Sequence, residues 1–176
     1  LCAEYGATAV YAHKEATREE RDEEDAVEKA LHGRAELKFF WGATLTHIND
    51  LPFAHTDLPD VFTAFRKRAE KESEVRTLFP SPKSVQLPEG DRKVGDVPSL
   101  GDLGFESAPI DSRAAIAFKG GESEAWKRLL HYFGKTHKLA EYKHTRNGLL
   151  GLDYSSKFSA WLAHGCISPR SIFYEV

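Results

Sequence analysis

The chain has 176 residues and 19.7 kDa, is 41% hydrophobic and 29% charged, and carries a formal net charge of −3. This composition excludes a disordered or fibrous chain, and the slight acidity excludes a general attraction to nucleic acid or anionic lipid, leaving room only for a local basic surface. Cys2 and Cys166, with no CxxC spacing and no Cys/His run, exclude a disulfide framework or a structural zinc and read as two reduced, buried thiols.

No stretch approaches the roughly 18 apolar residues that span a bilayer. Methionine is absent, Leu1 already sits in a helix-like run (LCAEYGA), and Val176 falls inside an amphipathic pattern. The expectation is an internal piece of a longer protein, with its localisation left open.

Along the chain, Thr8 to His13 (TAVYAH) is short, β-branched and aromatic, and reads as a strand. Glu15 to His32 reads as a helix with Ala26, Val27, Ala30 and Leu31 as its apolar stripe and Gly33 as its stop; Leu37 to Trp41 (LKFFW) is a second strand. A crossover of this length favours parallel strands, and since two strands cannot bury both faces of a parallel sheet, the remaining strands are expected upstream of Leu1. Thr17 to Lys29 holds seven acidic and three basic side chains. A partner surface is one reading of it; a solvated outer face, with Thr17 as N-cap and acids favoured by the helix dipole, is the simpler one.

From Thr44 to about Arg113 the composition shifts: Pro52, Pro59, Pro80, Pro82, Pro88, Pro98 and Pro109 are seven of the eight prolines. Only Pro59 to Glu72 promises a helix, with Pro59 in its first turn and Val61, Phe62 and Phe65 at helical spacing. The rest reads as a connector running over the surfaces of two domains. Arg66 to Lys71 (RKRAEK) reads as the solvated side of that helix rather than a nucleic-acid patch.

Beyond the connector the pattern is helical. Gly120, Gly121 and Glu122 precede a helix with Trp126, Leu129, Leu130 and Phe133 at i, i+3, i+4, i+7. A second segment, Leu139 to Arg146, ends at Asn147-Gly148. A third begins after Asp153-Tyr154 with Phe158, Trp161 and Leu162 on one face and closes at Gly165, and a last one starts at Ser168-Pro169.

The chemistry concentrates between Tyr142 and Arg170. Ser155 and Ser156 at a helix start, followed by Lys157 and Ser159, offer backbone N–H groups, hydroxyls and one cation in a small volume, an arrangement that suits a phosphate or diphosphate. The competing reading is a simple serine cap, with Tyr142 an ordinary packing aromatic.

GGESEAWKRL, YKHTRNGLLGLDYSSKFSAWLAHGCISPR and the pairing of WGATLTHINDLPF with DLPDVFTAFRK together resemble the photolyase and cryptochrome family, specifically its cryptochrome DASH branch, over nearly the whole chain. The resemblance implies an α/β plus all-α chain. Residues 1–57 would be the C-terminal part of a parallel-sheet, Rossmann-like antenna domain, 58–114 an interdomain connector with one helix, and 115–176 the first helices of a helical FAD-binding domain. It implies FAD contacts at Tyr142, Ser155, Ser156, Lys157, Phe158 and Ser159, a folate (methenyltetrahydrofolate) antenna, and blue-light-driven electron transfer from reduced FAD to cyclobutane pyrimidine dimers in single-stranded DNA, the work of a deoxyribodipyrimidine photolyase-like carbon–carbon lyase. It implies no metal and no membrane partner.

Ala160 and Leu152 stand where the family usually carries proline, and His164 where it is commonly apolar; none of these changes removes a cofactor donor. The family's flavin-ring residues, electron-transfer tryptophans and most of its DNA surface are implied downstream of Val176, and its main antenna residues upstream of Leu1. No catalytic residue is therefore expected in this stretch, which alone should neither retain FAD nor repair DNA. Trp41, Trp126 and Trp161 read as packing residues. Two other readings compete with repair: a blue-light photoreceptor that signals through the same flavin, and a nucleotide-binding α/β domain with an unrelated helical appendage.

Overall fold

The computed structural model describes residues 1–54, 56–86 and 95–176. Pro88 lies outside the described residues, as do 55 and 87–94 of the first two expected segments. In chain order the elements are α1 (Cys2–Tyr5), β1 (Ala9–His13), α2 (Arg18–Leu31), β2 (Glu36–Phe40), a 3-10 turn (Ile48–Asp50), α3 (Phe62–Glu72), α4 (Glu122–Leu129), a π-helical stretch (Leu130–Lys135), a 3-10 turn (Lys138–Glu141), α5 (Tyr142–Thr145), α6 (Ser159–Ala163) and α7 (Pro169–Glu175). They gather into two compact units, residues 1–78 with 158–176, and residues 79–157.

In the first unit β1 and β2 pair in parallel, from Ala9 opposite Glu36 to His13 opposite Phe40, as the crossover through α2 requires. Gly33, at φ 73°, takes the left-handed conformation that turns the chain out of α2. Tyr11 and Phe40 stack 5.9 Å apart. Glu24 ties α2 back to the end of β1: its carboxylate accepts from the Lys14 ammonium and, at 2.8 Å, from the Glu15 amide.

Two details of α2 differ from expectation. Thr17 occupies the N-cap with extended backbone but makes no capping hydrogen bond through its side chain, and Ala26, Val27 and Ala30 are exposed, Leu31 alone of the stripe being half-buried. The reason is geometric, since a pair of strands is too narrow a floor for the whole apolar face of a fourteen-residue helix.

The helix of the proline-rich region starts at Phe62, not at Pro59. Val61 is its cap, and the Val61 carbonyl accepts from the amides of Ala64 and Phe65, which fixes the first turn. Phe65 stacks on Phe53 at 5.4 Å, Arg68 lies over the Phe53 ring and donates to the Pro52 carbonyl, and Arg76 grips Asp50 through two bonds of 2.6 and 2.8 Å. In the basic run on α3, Arg66 pairs with Glu70 and Arg68 with Glu72 one turn on, and Arg66, Lys67 and Arg68 are exposed to solvent. At the other end of the unit, Ser168 caps α7 by accepting from the Arg170 amide, Pro169 fills the first helical position, and the Tyr174 hydroxyl donates to the Val75 carbonyl at 2.7 Å. Cys2 and Cys166 are free thiols, both half-buried rather than fully enclosed.

The described residues of the second unit form no helix or strand up to Gly121 and helical turns after it. The inward face of α4 and its continuation is Ala125, Arg128, Leu129 and Tyr132, one step around from the expected Trp126, Leu129, Leu130 and Phe133; Leu130 is exposed, and Trp126 and Phe133 are half-buried. Arg128 causes the rotation, because its hydrogen-bond partners lie on the buried side. The segment expected over Leu139 to Arg146 is present as two short pieces, the 3-10 turn and α5.

Candidate functional site

Arg128 is 5% exposed and makes four hydrogen bonds, all to one loop. Its Nε donates to the Ser156 carbonyl at 2.8 Å, Nη1 to Asp153 Oδ1 at 2.9 Å, and Nη2 to the carbonyls of Leu152 and Ser155 at 2.9 and 3.0 Å. A guanidinium is the one side chain whose planar fork of five donors can serve acceptors on several edges at once. His131, three residues further along, places Nε2 at 3.1 Å from both oxygens of Asp153. An ionised carboxylate only accepts, so Nε2–H is the donor.

Burial pushes the Asp153 carboxyl up, but the bonds from Arg128 and His131, with their charges, together outweigh it and hold the group below the usual carboxylate range. Beneath the guanidinium lies the Tyr132 ring, 5.2 Å from its centre. The Tyr132 hydroxyl is buried without a hydrogen-bond partner; burial pushes its phenol up against the opposing charge of Arg128, and Tyr142 and Asp153 add to the rise.

This geometry settles the orientation of the loop. In a trans peptide the C=O and the following N–H point in opposite directions, and no peptide among the described residues is cis. With the carbonyls of Leu152, Ser155 and Ser156 turned toward Arg128, the amides of Asp153, Ser156 and Lys157 are turned away from it. Lys157 then takes φ 57°, a left-handed conformation uncommon outside glycine. The amides of Asp153, Ser156 and Lys157 thus take no part in the Arg128 network.

The loop is therefore not the helix start expected at Ser155 and Ser156. In a helix their carbonyls would accept from amides four residues on; Arg128 takes them instead, and α6 begins only at Ser159, capped by Phe158. Ser155, Ser156 and Lys157 are half-buried in the second unit. Tyr142 opens α5 in the same unit, exposed at its surface, and α5 is tied to the loop by Thr145 Oγ1 donating to the Tyr154 carbonyl at 3.3 Å. Phe158, buried, and Ser159, exposed, follow in sequence but belong to the first unit.

The preceding GLLG segment is shaped by Tyr154. A Cβ on Gly148 would lie 2.2 Å from its ring and one on Gly151 2.9 Å, so both glycines serve as bare backbone against which the ring lies. Leu152 contributes through its carbonyl, which proline would possess equally. Of the three tryptophans, Trp161 is buried, Trp126 donates to Glu122 and Trp41 to Thr44.

The sequence reading missed Arg128, His131 and Asp153 as a group. Its one available signal was an arginine directly before Leu129 and three residues after Ala125, on the face that has to be buried. A separate polar cavity of about 380 Å³ lies in the first unit, lined among others by His13, Glu15, Gly42, Ser168 and Arg170, and the Arg170 Nε is buried without a partner. Among the described residues no three His, Cys, Asp or Glu side chains converge to hold a metal, and no helix is long and apolar enough to cross a membrane.

The chain is similar to known proteins along its length. The DNA photolyase family model matches residues 1–84. Cryptochrome DASH from Xenopus laevis is 49% identical over 173 residues, covering 96% of this chain and 33% of that protein, and cryptochrome DASH from Gloeobacter violaceus is 46% identical over 178 residues, covering all of this chain and 35% of that one. The crystal structure of a Synechocystis cryptochrome superposes with a TM-score of 0.81 at 42% identity, over 99% of this chain and 36% of that one. The chain thus spans about a third of the length of the curated relatives it matches.

Proposed function

Because the chain belongs to the photolyase and cryptochrome family, with cryptochrome DASH proteins as its relatives, we propose that the intact protein carrying it is a flavoprotein that repairs cyclobutane pyrimidine dimers in single-stranded DNA under blue light. In this reading residues 1–57 complete an antenna domain, 58–114 connect, and 115–176 open the FAD-binding domain. The observation that carries it is the set of Arg128 bonds to the carbonyls of Leu152, Ser155 and Ser156, which turns the amides of Asp153, Ser156 and Lys157 away from that network as donors of the kind a diphosphate needs. Ser155, Ser156, Lys157 and Tyr142 add hydroxyl and cationic donors to that loop, and Phe158 and Ser159 continue the same stretch of chain.

When bound, reduced FAD supplies the photoexcited electron that opens the cyclobutane ring. The work of the residues here is to bind and orient: the amides and Lys157 fix the diphosphate, and the packed Arg128 network keeps the loop from collapsing onto itself. A folate antenna is part of the same proposal.

The test uses the intact gene product. Its absorption spectrum should show flavin and folate bands, and a dimer-containing single-stranded oligonucleotide should lose its dimer only in blue light. Flavin binding without dimer loss would shift the reading to a photoreceptor, and a protein that takes up no flavin would end it.

A further inference from the structure

We infer that Arg128 is the positioning residue of the diphosphate loop: by holding the carbonyls of Leu152, Ser155 and Ser156, it sets the peptide planes so that the amides of Asp153, Ser156 and Lys157 face the phosphates. The inference rests on the FAD reading above and goes beyond it, because Arg128 itself faces inward and touches no ligand.

Three observations carry it. The guanidinium is buried and all four of its bonds go to residues 152–156, three of them to backbone oxygens, so its contacts define the path of the main chain rather than the placement of other side chains. Its charge is already answered by Asp153, 2.9 Å away, so it is not the countercharge of a phosphate, a part left to Lys157. Finally, a buried ion pair is a poor device for stability alone, since apolar residues of the same volume often stabilise as much; a fan of bonds to three carbonyls of one loop is explained by what it does to the opposite edge of those peptides. Lysine, with a point charge on a flexible stem, cannot reach the same three carbonyls together.

The experiment compares FAD with riboflavin, which lacks the diphosphate, on the apoprotein of the intact gene product. With Arg128→Lys, FAD affinity should fall about tenfold or more while riboflavin affinity changes by less than about twofold, so the ratio of the two collapses. Arg76→Lys, at an arginine that pairs with Asp50 in the first unit, should preserve the ratio. Should Arg128→Lys fail to fold, the wild type decides: inorganic pyrophosphate should slow amide exchange at Asp153, Ser156 and Lys157.

A merely structural arginine would lower both affinities together and leave the ratio unchanged, which would overturn the inference. So would an Arg76→Lys ratio as low as that of Arg128→Lys, or amide exchange indifferent to pyrophosphate. A wild type that binds no FAD would remove the flavoprotein reading and this inference with it; a wild type that binds FAD while the Lys variant keeps its ratio removes this inference only.

Discussion

Where the Tyr154 ring lies on Gly148, the backbone has no space for even one further carbon. Ala at 148 would put that carbon 2.2 Å from the ring, so the ring or the chain has to move. Gly148→Ala should destabilise the protein by about 1–3 kcal/mol, read as a lower denaturant midpoint with an unchanged slope; Gly151→Ala, with 2.9 Å to relieve, should cost less. Asp153 offers a second residue-scale prediction. Its folded carboxyl titrates below the ordinary 3.8, so its bonds to Arg128 and His131 contribute fully at neutral pH, and that contribution fades as the pH falls below 3.8 through the folded value. Asp153→Asn should cost about 1–3 kcal/mol at neutral pH and flatten the acid limb of stability against pH. An acid limb as steep as the wild type's would show that this carboxylate does not contribute to it.

Among the elements, α7 has the most complete local signal, a serine cap followed by proline at the first helical position, and its observed start agrees with that signal. Ser168→Ala removes the acceptor for the Arg170 amide and should cost about 1 kcal/mol, visible as a lower melting temperature. Other elements answer to their neighbours. The phase of α4 is set by Arg128, and the π-helical stretch after Leu129 alters the angular spacing on which a 3.6-residue pattern depends. The start of α6 is set by the same arginine, which holds carbonyls a longer helix would have used. In α2 the apolar stripe exists as the pattern requires, yet the floor beneath it is only two strands wide.

For the whole molecule, the prediction is linkage: in the intact gene product, FAD at a hundred times its dissociation constant should stabilise the folded state by about 2.7 kcal/mol, and riboflavin by less at the same concentration. A melting temperature unmoved by FAD would contradict the flavoprotein reading. The β-branched, aromatic and apolar content of TAVYAH and LKFFW, the length of the helix between them, the clustering of prolines and the Ser168-Pro169 cap were legible in the sequence, because each rests on forces acting within a few residues or on a period repeated along the chain. The motif wording from Tyr142 to Arg170 was enough to identify the family. Only the tertiary structure decided that Ser155 and Ser156 lie in a loop and that Arg128 turns inward. Those outcomes depend on hydrogen bonds between residues 24 to 28 positions apart, and a local pattern cannot say which distant carbonyl a buried guanidinium will reach.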